Sequence, residues 1–270
     1  MKKILFFDID GTLYDFSGRM PASTIETLRQ ARANGHKLLI CSGRAKYQMY
    51  PELFKLFDGV IGATGAYIEE NNEVLSEHFM QREVLQRIVK TSNLSGAKIA
   101  AMTRYHMILN EECKDYILNQ LSNFSRNTEM IKRIMGEYEI SDHLEEHTDI
   151  QKVLYYGSNW NIDDIVKELS DVCDITGSSL EQKALTDGEI TMKGINKSYG
   201  MRKYLELHGL SREDTIAFGD GPNDLDMIEY AGIGVAMGNA RQELKDIADY
   251  VTKDISDNGI KYAMEHFGLI

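Results

Sequence analysis

The stretch Phe6-Phe7-Asp8-Ile9-Asp10-Gly11-Thr12 decides the fold. The apolar run Ile4 to Phe7 predicts a short buried strand. It stops abruptly at two carboxylates one residue apart, followed by Gly and Thr. An unpaired buried carboxylate is costly, so packing alone does not place Asp-x-Asp at a strand end. Taken by itself, the pattern also fits a solvated turn after a strand. The rest of the chain has to choose.

Working outward, Pro21 opens a helix with Ser23 and Glu26 spaced as a capping box, and Gly35 stops it. Lys37 to Cys41 predicts a second strand, ending in Ser42-Gly43-Arg44. A helix is expected from there toward Phe57, and Gly59 to Ile61 predicts a third strand. Strand, helix, strand, helix, strand at this spacing predicts a parallel sheet with helices on its faces. Ligands of such sheets bind beyond the carboxyl ends of the strands. Asp8, Asp10 and Ser42 all fall at such ends. Tyr67–Glu69 and Val74–Leu75, flanking Asn71-Asn72, predict a hairpin at the edge.

From about Gln81 the pattern changes. Val84, Leu85, Ile88 and Val89 share a helical face. Ile99–Met102, Met107–Leu109, Val153–Tyr156 and Val172–Thr176 predict strands, and Glu111–Leu121 and Ile162–Leu169 helices. Asn123–Thr148 is polar and unassigned. The segment is expected to form an α+β unit with an open sheet. Past Asp187-Gly188 the first pattern returns. A helix Ser198–His208 precedes a strand Thr215–Phe218, which ends in Gly219-Asp220-Gly221-Pro222-Asn223-Asp224. Helices and short strands then alternate to Phe267. The expected organisation is an α/β, Rossmann-like core at 1–80 and 189–270, with an inserted α+β domain at 81–188. Crossovers near Phe79–Arg82 and Thr186–Thr191 are expected to act as hinges.

The formal charge of −12 on 270 residues argues against nucleic acid and anionic membrane surfaces as partners. The hydrophobic share of 43% suffices for a core. Cys41, Cys113 and Cys173 form neither a zinc pattern nor a disulfide framework and read as buried thiols in a reducing compartment. Asp8 ends the first apolar run too early for a signal peptide, and no segment has bilayer-spanning length. The expected location is cytoplasmic. Oligomeric state leaves no mark in the sequence.

Four elements belong together: Asp8-Ile9-Asp10-Gly11-Thr12, Ser42-Gly43-Arg44, Lys197, and Gly219 to Asp224. Their order resembles the haloacid dehalogenase-like hydrolase superfamily. The insertion before Lys197, with Gly234 to Ala240 and Ala248 to Thr252, resembles its class IIB, Cof-type branch. Thr64-Gly65-Ala66 departs from it, standing where Asn-Gly-Ala is usual. The resemblance implies an inserted cap and a Mg²⁺-dependent phosphatase for small phosphorylated metabolites, sugar phosphates above all. It places Ile9, Ser42, Gly43, Lys197 and Asn223 around the phosphate. It also places the Asp10 carbonyl on the metal and Asp224 behind the metal ligands. The cap is expected to act as a lid that excludes water.

The chemistry of the residues runs beside the resemblance. Asp8 fits a nucleophile that takes the phosphoryl group as an aspartyl-phosphate. Asp10 fits the acid that protonates the leaving oxygen and the base that then activates water. Residues i and i+2 of a strand share a face, so both acids can meet one substrate. Carboxylates this close raise each other's pKa, and a cation relieves it. Asp8, Asp10 and Asp220 offer hard oxygen ligands that suit Mg²⁺. Ser42 and Gly43, at a strand-to-helix junction, favour an anion, though Ser42 taken alone reads better as a simple N-cap. Asp220–Asp224 alone also reads as an acidic turn before a helix, and a lone Lys197 as surface charge.

Other patterns fail. Asp8-x-Asp10 is not an EF-hand, because Gly11 falls too early and Arg19 stands where Glu is required. Gly232, Gly234 and Gly238 miss the dinucleotide spacing, there is no Walker A pattern, and the histidines, His143 and His147 included, form no ligand set. Two rival readings stay open: a phosphomutase of the same superfamily, and a phosphometabolite-binding regulator without turnover.

Overall fold

The computed structural model describes residues 2–124, 135–177 and 186–270. Its strands, in chain order, are β1 Ile4–Phe7, β2 Lys37–Cys41, β3 Gly59–Gly62, β4 Tyr67–Glu70, β5 Glu73–Glu77, β6 Lys98–Met102, β7 Met107–Leu109, β8 Tyr138–Ile140, β9 Lys152–Tyr156, β10 Cys173–Gly177, β11 Gly188–Met192, β12 Thr215–Gly219, β13 Ile233–Ala236 and β14 Tyr250–Val251. Two compact units result. The first holds Met1–Gly43, Tyr50–Ser76 and Asn196–Ile270; the second holds Arg44–Met49 and Glu77–Ile195.

The first unit is built on an eight-stranded sheet ordered β14-β13-β12-β1-β2-β3-β4-β5. Neighbours from β14 to β3 run parallel, and β4 turns back antiparallel to β3. Strand β1 is central, with Phe7 opposite Phe218 on one side and Ile40 on the other. Apolar side chains on both faces suit a strand covered twice. All four of its residues are buried, and Phe7 stacks on Phe218 with ring centroids 4.6 Å apart. That packing fixes the chain up to the residue before Asp8. The hairpin turn at Asn71-Asn72 has φ of 51° and 65°, the pair of positive angles that a two-residue hairpin of this twist requires.

The second unit is a six-stranded sheet ordered β10-β11-β9-β6-β7-β8, antiparallel except where β8 joins β7. Its strands alternate faces. Ala101, Ile108, Val153 and Ile190 join one apolar cluster with Leu85, Ile88, Ile165 and Leu169 of the helices Arg82–Ser95 and Ile162–Leu169. Ala100, Met102, Met107 and Leu109 join another with Cys113 and Ile117.

Three expectations change. No long helix follows Ser42: a 3₁₀ turn Lys46–Gln48 and a short helix Leu53–Leu56 take its place, with Pro51 between them. Proline lacks the N–H that a continuous helix needs, and its ring restricts Tyr50. Ser23 does not cap the first helix, Ala22–Ala33; its hydroxyl meets Asn258 Oδ1 instead. The crossover expected as a hinge near Thr186–Thr191 is largely strand: Gly188 opens β11, which pairs with β10, so the second unit runs on to Ile195 rather than stopping at 188. Of the unassigned stretch 123–148, β8 and a 3₁₀ turn Leu144–Glu146 are formed, and residues 125–134 lie outside the described residues.

Candidate active site

Asp8, Ser42 and the Asp220–Asp224 loop leave the carboxyl edge of the parallel sheet, while Lys197 opens a helix beside it. Strand β1 delivers Asp8, and its amide continues the ladder by donating to Phe218 O at 3.0 Å. Directly beyond, Ile9 O accepts the amides of Leu13 and Tyr14 at 3.0 and 2.8 Å, curling the chain into a tight turn. Gly11 sits in that turn with φ +84°, and a Cβ there would lie 2.1 Å from Asp220 Oδ2. Only glycine tolerates both the angle and the approach. Thr12 donates its hydroxyl to Asp220 Oδ1 at 3.1 Å. Asn239 donates to Gly11 O at 2.7 Å and accepts from the Ile255 amide at 3.0 Å.

The loop after β12 carries the other acids. Asp224 Oδ2 accepts the amides of Asp220 and Gly221, both at 2.9 Å, which folds the loop on itself. Its Oδ1 accepts Lys197 Nζ at 2.5 Å. The same ammonium donates to Asp8 Oδ1 at 2.5 Å. Lys197 is fully buried, at 0% exposure, as the first residue of the helix Lys197–His208. Asn196 caps that helix by accepting the Tyr199 amide at 2.8 Å. Ligand oxygens of Asp8, Asp220 and Asp224 all lie within 4.8 Å of one another, the one such cluster among the described residues.

Electrostatics follow from this geometry. Burial pushes the Asp8 carboxyl up from 3.8 to about 7; Lys197 pulls it down, while Asp224 and Asp10 push it further. Burial, then Asp8 and Asp224, lift Asp220 from 3.8 to about 8 against the Thr12 hydroxyl and Lys197. Burial works against the Lys197 charge, but Asp224 and Asp8 outweigh it and hold its pKa well above the ordinary lysine value. Cys41, beneath Lys197, is driven well up by burial and stays a thiol. Three buried carboxylates thus face one ammonium. An all-oxygen set with surplus negative charge in a dry place fits a hard divalent cation such as Mg²⁺. Asp224 has both oxygens engaged in bracing, which leaves Asp8 and Asp220 as the side chains to hold it.

Asp8, Lys197, Asp220 and Asp224 meet directly, and Asp10 is close enough to act on the Asp8 charge. Ile9 is buried behind the turn. Ser42 follows β2, beside β1; its amide donates to Ile61 O at 2.9 Å and its carbonyl accepts the Thr64 amide at 3.1 Å. No helix begins at Ser42–Gly43, so no helix dipole acts there. Asn223 is half-buried on the 3₁₀ turn Pro222–Asp224. Arg44 donates to Gln48 O at 2.8 Å, closing its own turn. Thr12 and Asn239, which orient Asp220 and Gly11, carry no role in the sequence reading. Thr12 lies in the opening motif and Asn239 in the run Gly234 to Ala240, so position was the only available signal.

A family model described as haloacid dehalogenase-like hydrolase matches residues 5–264. YkrA of Bacillus subtilis (strain 168) is 31% identical, over 99% of this chain and 98% of its own. The 5-amino-6-(5-phospho-D-ribitylamino)uracil phosphatase YitU of the same organism is 27% identical over 98% of each chain. Among solved structures, the subclass IIB sugar phosphatase BT4131 superposes with a TM-score of 0.82 at 29% identity, covering 100% of both chains. The chain belongs to the haloacid dehalogenase-like hydrolases, in their class IIB, Cof-type branch.

Proposed function

We propose that this enzyme is a Mg²⁺-dependent phosphatase that removes the phosphoryl group from small phosphorylated metabolites, sugar phosphates first among them, through an aspartyl-phosphate on Asp8. The observation that carries the reading is the convergence of Asp8, Lys197, Asp220 and Asp224 from three distant segments. Phosphate monoester hydrolysis is among the slowest uncatalysed reactions, with accelerations up to about 10²¹-fold. Such a barrier calls for a nucleophile, a proton carrier and fixed positive charge together.

In the first step an Asp8 oxygen bonds to phosphorus as the bond to the leaving oxygen breaks. Asp10 gives that oxygen its proton. In the second, water attacks the phosphorus, Asp10 takes the water's proton, and the Asp8–phosphorus bond breaks to release inorganic phosphate. Lys197 neutralises phosphoryl charge; Ser42, Gly43, Ile9 and Asn223 hold the phosphoryl oxygens. When bound by Asp8, the Asp10 carbonyl and Asp220, the divalent cation supplies charge that keeps the carboxylates ionised and screens the incoming phosphate. These residues handle the phosphoryl end only. Choice of the leaving group falls to the inserted unit.

An aryl phosphate assay with and without Mg²⁺ tests the reading, followed by a panel of phosphorylated metabolites. Release of inorganic phosphate is expected, and Asp8→Asn is expected to remove it. An isomerised phosphosugar would indicate a mutase. Tight binding without turnover would indicate a regulator.

A further inference from the structure

The mechanism requires Lys197 to change partners. Its ammonium is shared between Asp8 and Asp224 at 2.5 Å each, and an arriving phosphoryl group must take part of it. A separate contact holds the backbone meanwhile. Ser198, the next residue, donates its amide to Asp226 Oδ2 at 2.7 Å. Asp226 lies on the helix Leu225–Tyr230, which the Asp220–Asp224 loop launches.

The first amides of a helix have no partner within it. Here Asn196 Oδ1 takes the Tyr199 amide at 2.8 Å and the Ser198 hydroxyl at 3.0 Å, while Asp226 takes the Ser198 amide. Asn196 is local to its own helix. Asp226 is a tie to the acid loop that does not pass through the Lys197 side chain. The opposite side of the same turn is fixed by packing: a Cβ on Gly200 would lie 2.4 Å from Ile61 Cγ2 and 3.1 Å from Gly65 Cα. The helix start is therefore clamped between the sheet and Asp226.

We propose that Asp226 is a positioning residue for the phosphoryl site: it holds the Lys197 backbone in register with Asp220 and Asp224 while the ammonium moves its contacts to the phosphoryl group. The proposal rests on the phosphatase reading, and its test separates the two. Asp226→Ala removes the acceptor; Asp226→Asn keeps an oxygen in the same place. Amide hydrogen exchange at Ser198, inorganic phosphate affinity in the presence of Mg²⁺, and kcat and KM on an aryl phosphate are read for both.

Asp226→Ala is expected to speed Ser198 exchange about tenfold, as loss of a helix cap does. It is expected to weaken phosphate binding and lower kcat about tenfold, with a smaller change in KM, as small misplacements of charge do. Asp226→Asn should stay within about threefold of wild type in all of these, since its amide oxygen accepts the same bond. Fast exchange in Asp226→Ala with unchanged phosphate affinity and kcat would reduce Asp226 to a fold-stabilising cap and overturn the proposal. So would equal losses in both variants, and the Asn variant alone decides this if the Ala variant does not fold. Should the wild-type enzyme bind phosphate without hydrolysing esters, the phosphatase reading fails, and the exchange and affinity comparison still decides the role of Asp226. Wild-type protein that binds no phosphate overturns both.

Discussion

Lys197 Nζ stands 2.5 Å from Asp8 Oδ1 across 189 residues of sequence, with neither side chain open to solvent. Asp224 shares the ammonium from the other side at 2.5 Å. A fully buried lysine is held in charged form only by such partners, because burial alone favours its neutral state. The fold thus fixes a positive charge against the carboxylate assigned to attack phosphorus.

Replacing that lysine tests the charge. Lys197→Met keeps volume but leaves Asp8 and Asp224 without their cation. Breaking a buried pair from one side costs about 3–5 kcal/mol, and protonation of Asp8, already raised by burial, relieves part of it. The melting temperature should therefore fall more near pH 8 than near pH 5, in a thermal scan at both. Turnover should drop by about 10³-fold or more, the scale for removing a transition-state charge.

The acids set a pH dependence of stability in the absence of metal. Burial first, then neighbouring acids, raise Asp8 from 3.8 to about 7 and Asp220 from 3.8 to about 8. Groups raised on folding bind more protons in the folded state. Their contribution is full below 3.8 and is lost as pH rises through about 7 to 8. Metal-free protein should lose melting temperature over that window. Mg²⁺ competes with those protons, so its stabilising shift should be larger near pH 8 than near pH 5. Differential scanning calorimetry with chelator and with Mg²⁺ measures both.

Gly11→Ala addresses the turn. The Cβ would lie 2.1 Å from Asp220 Oδ2, at φ +84°. Left-handed backbone costs an L-residue about 1–2 kcal/mol, and Asp220 must also move. The expected result is a lower melting temperature with Mg²⁺ affinity reduced by more than tenfold, read by calorimetric titration. Unchanged affinity would show that Asp220 does not hold the cation.

Much of this was legible in the sequence because the signals are local. Asp-x-Asp-Gly after an apolar run and Gly-Asp-Gly-Pro-Asn-Asp after another mark strand ends, and parallel pairing brings such ends to one edge. The bracing was not legible, since it depends on contacts between distant segments. Asn239 reaches Gly11 and Asp226 reaches Ser198. Neither spacing announces itself. Pro51 did carry a signal: a helix through it was never compatible with its missing N–H, and the apolar residues around it obscured that. Strand β11 stands where a hinge is expected, because Gly188-Glu189-Ile190-Thr191 is a short, mixed run and its pairing with β10 is between separate segments.

The most direct test of covalent transfer to Asp8 is mass spectrometry of rapidly quenched Asp10→Asn protein after mixing with an aryl phosphate and Mg²⁺. Such a leaving group needs no proton, whereas the second step lacks its base, so the intermediate should accumulate. A hydroxylamine-labile phosphoryl group is expected on the peptide containing Asp8. Product formation with that peptide unmodified at every time point, or with the phosphoryl group on another residue, would contradict it.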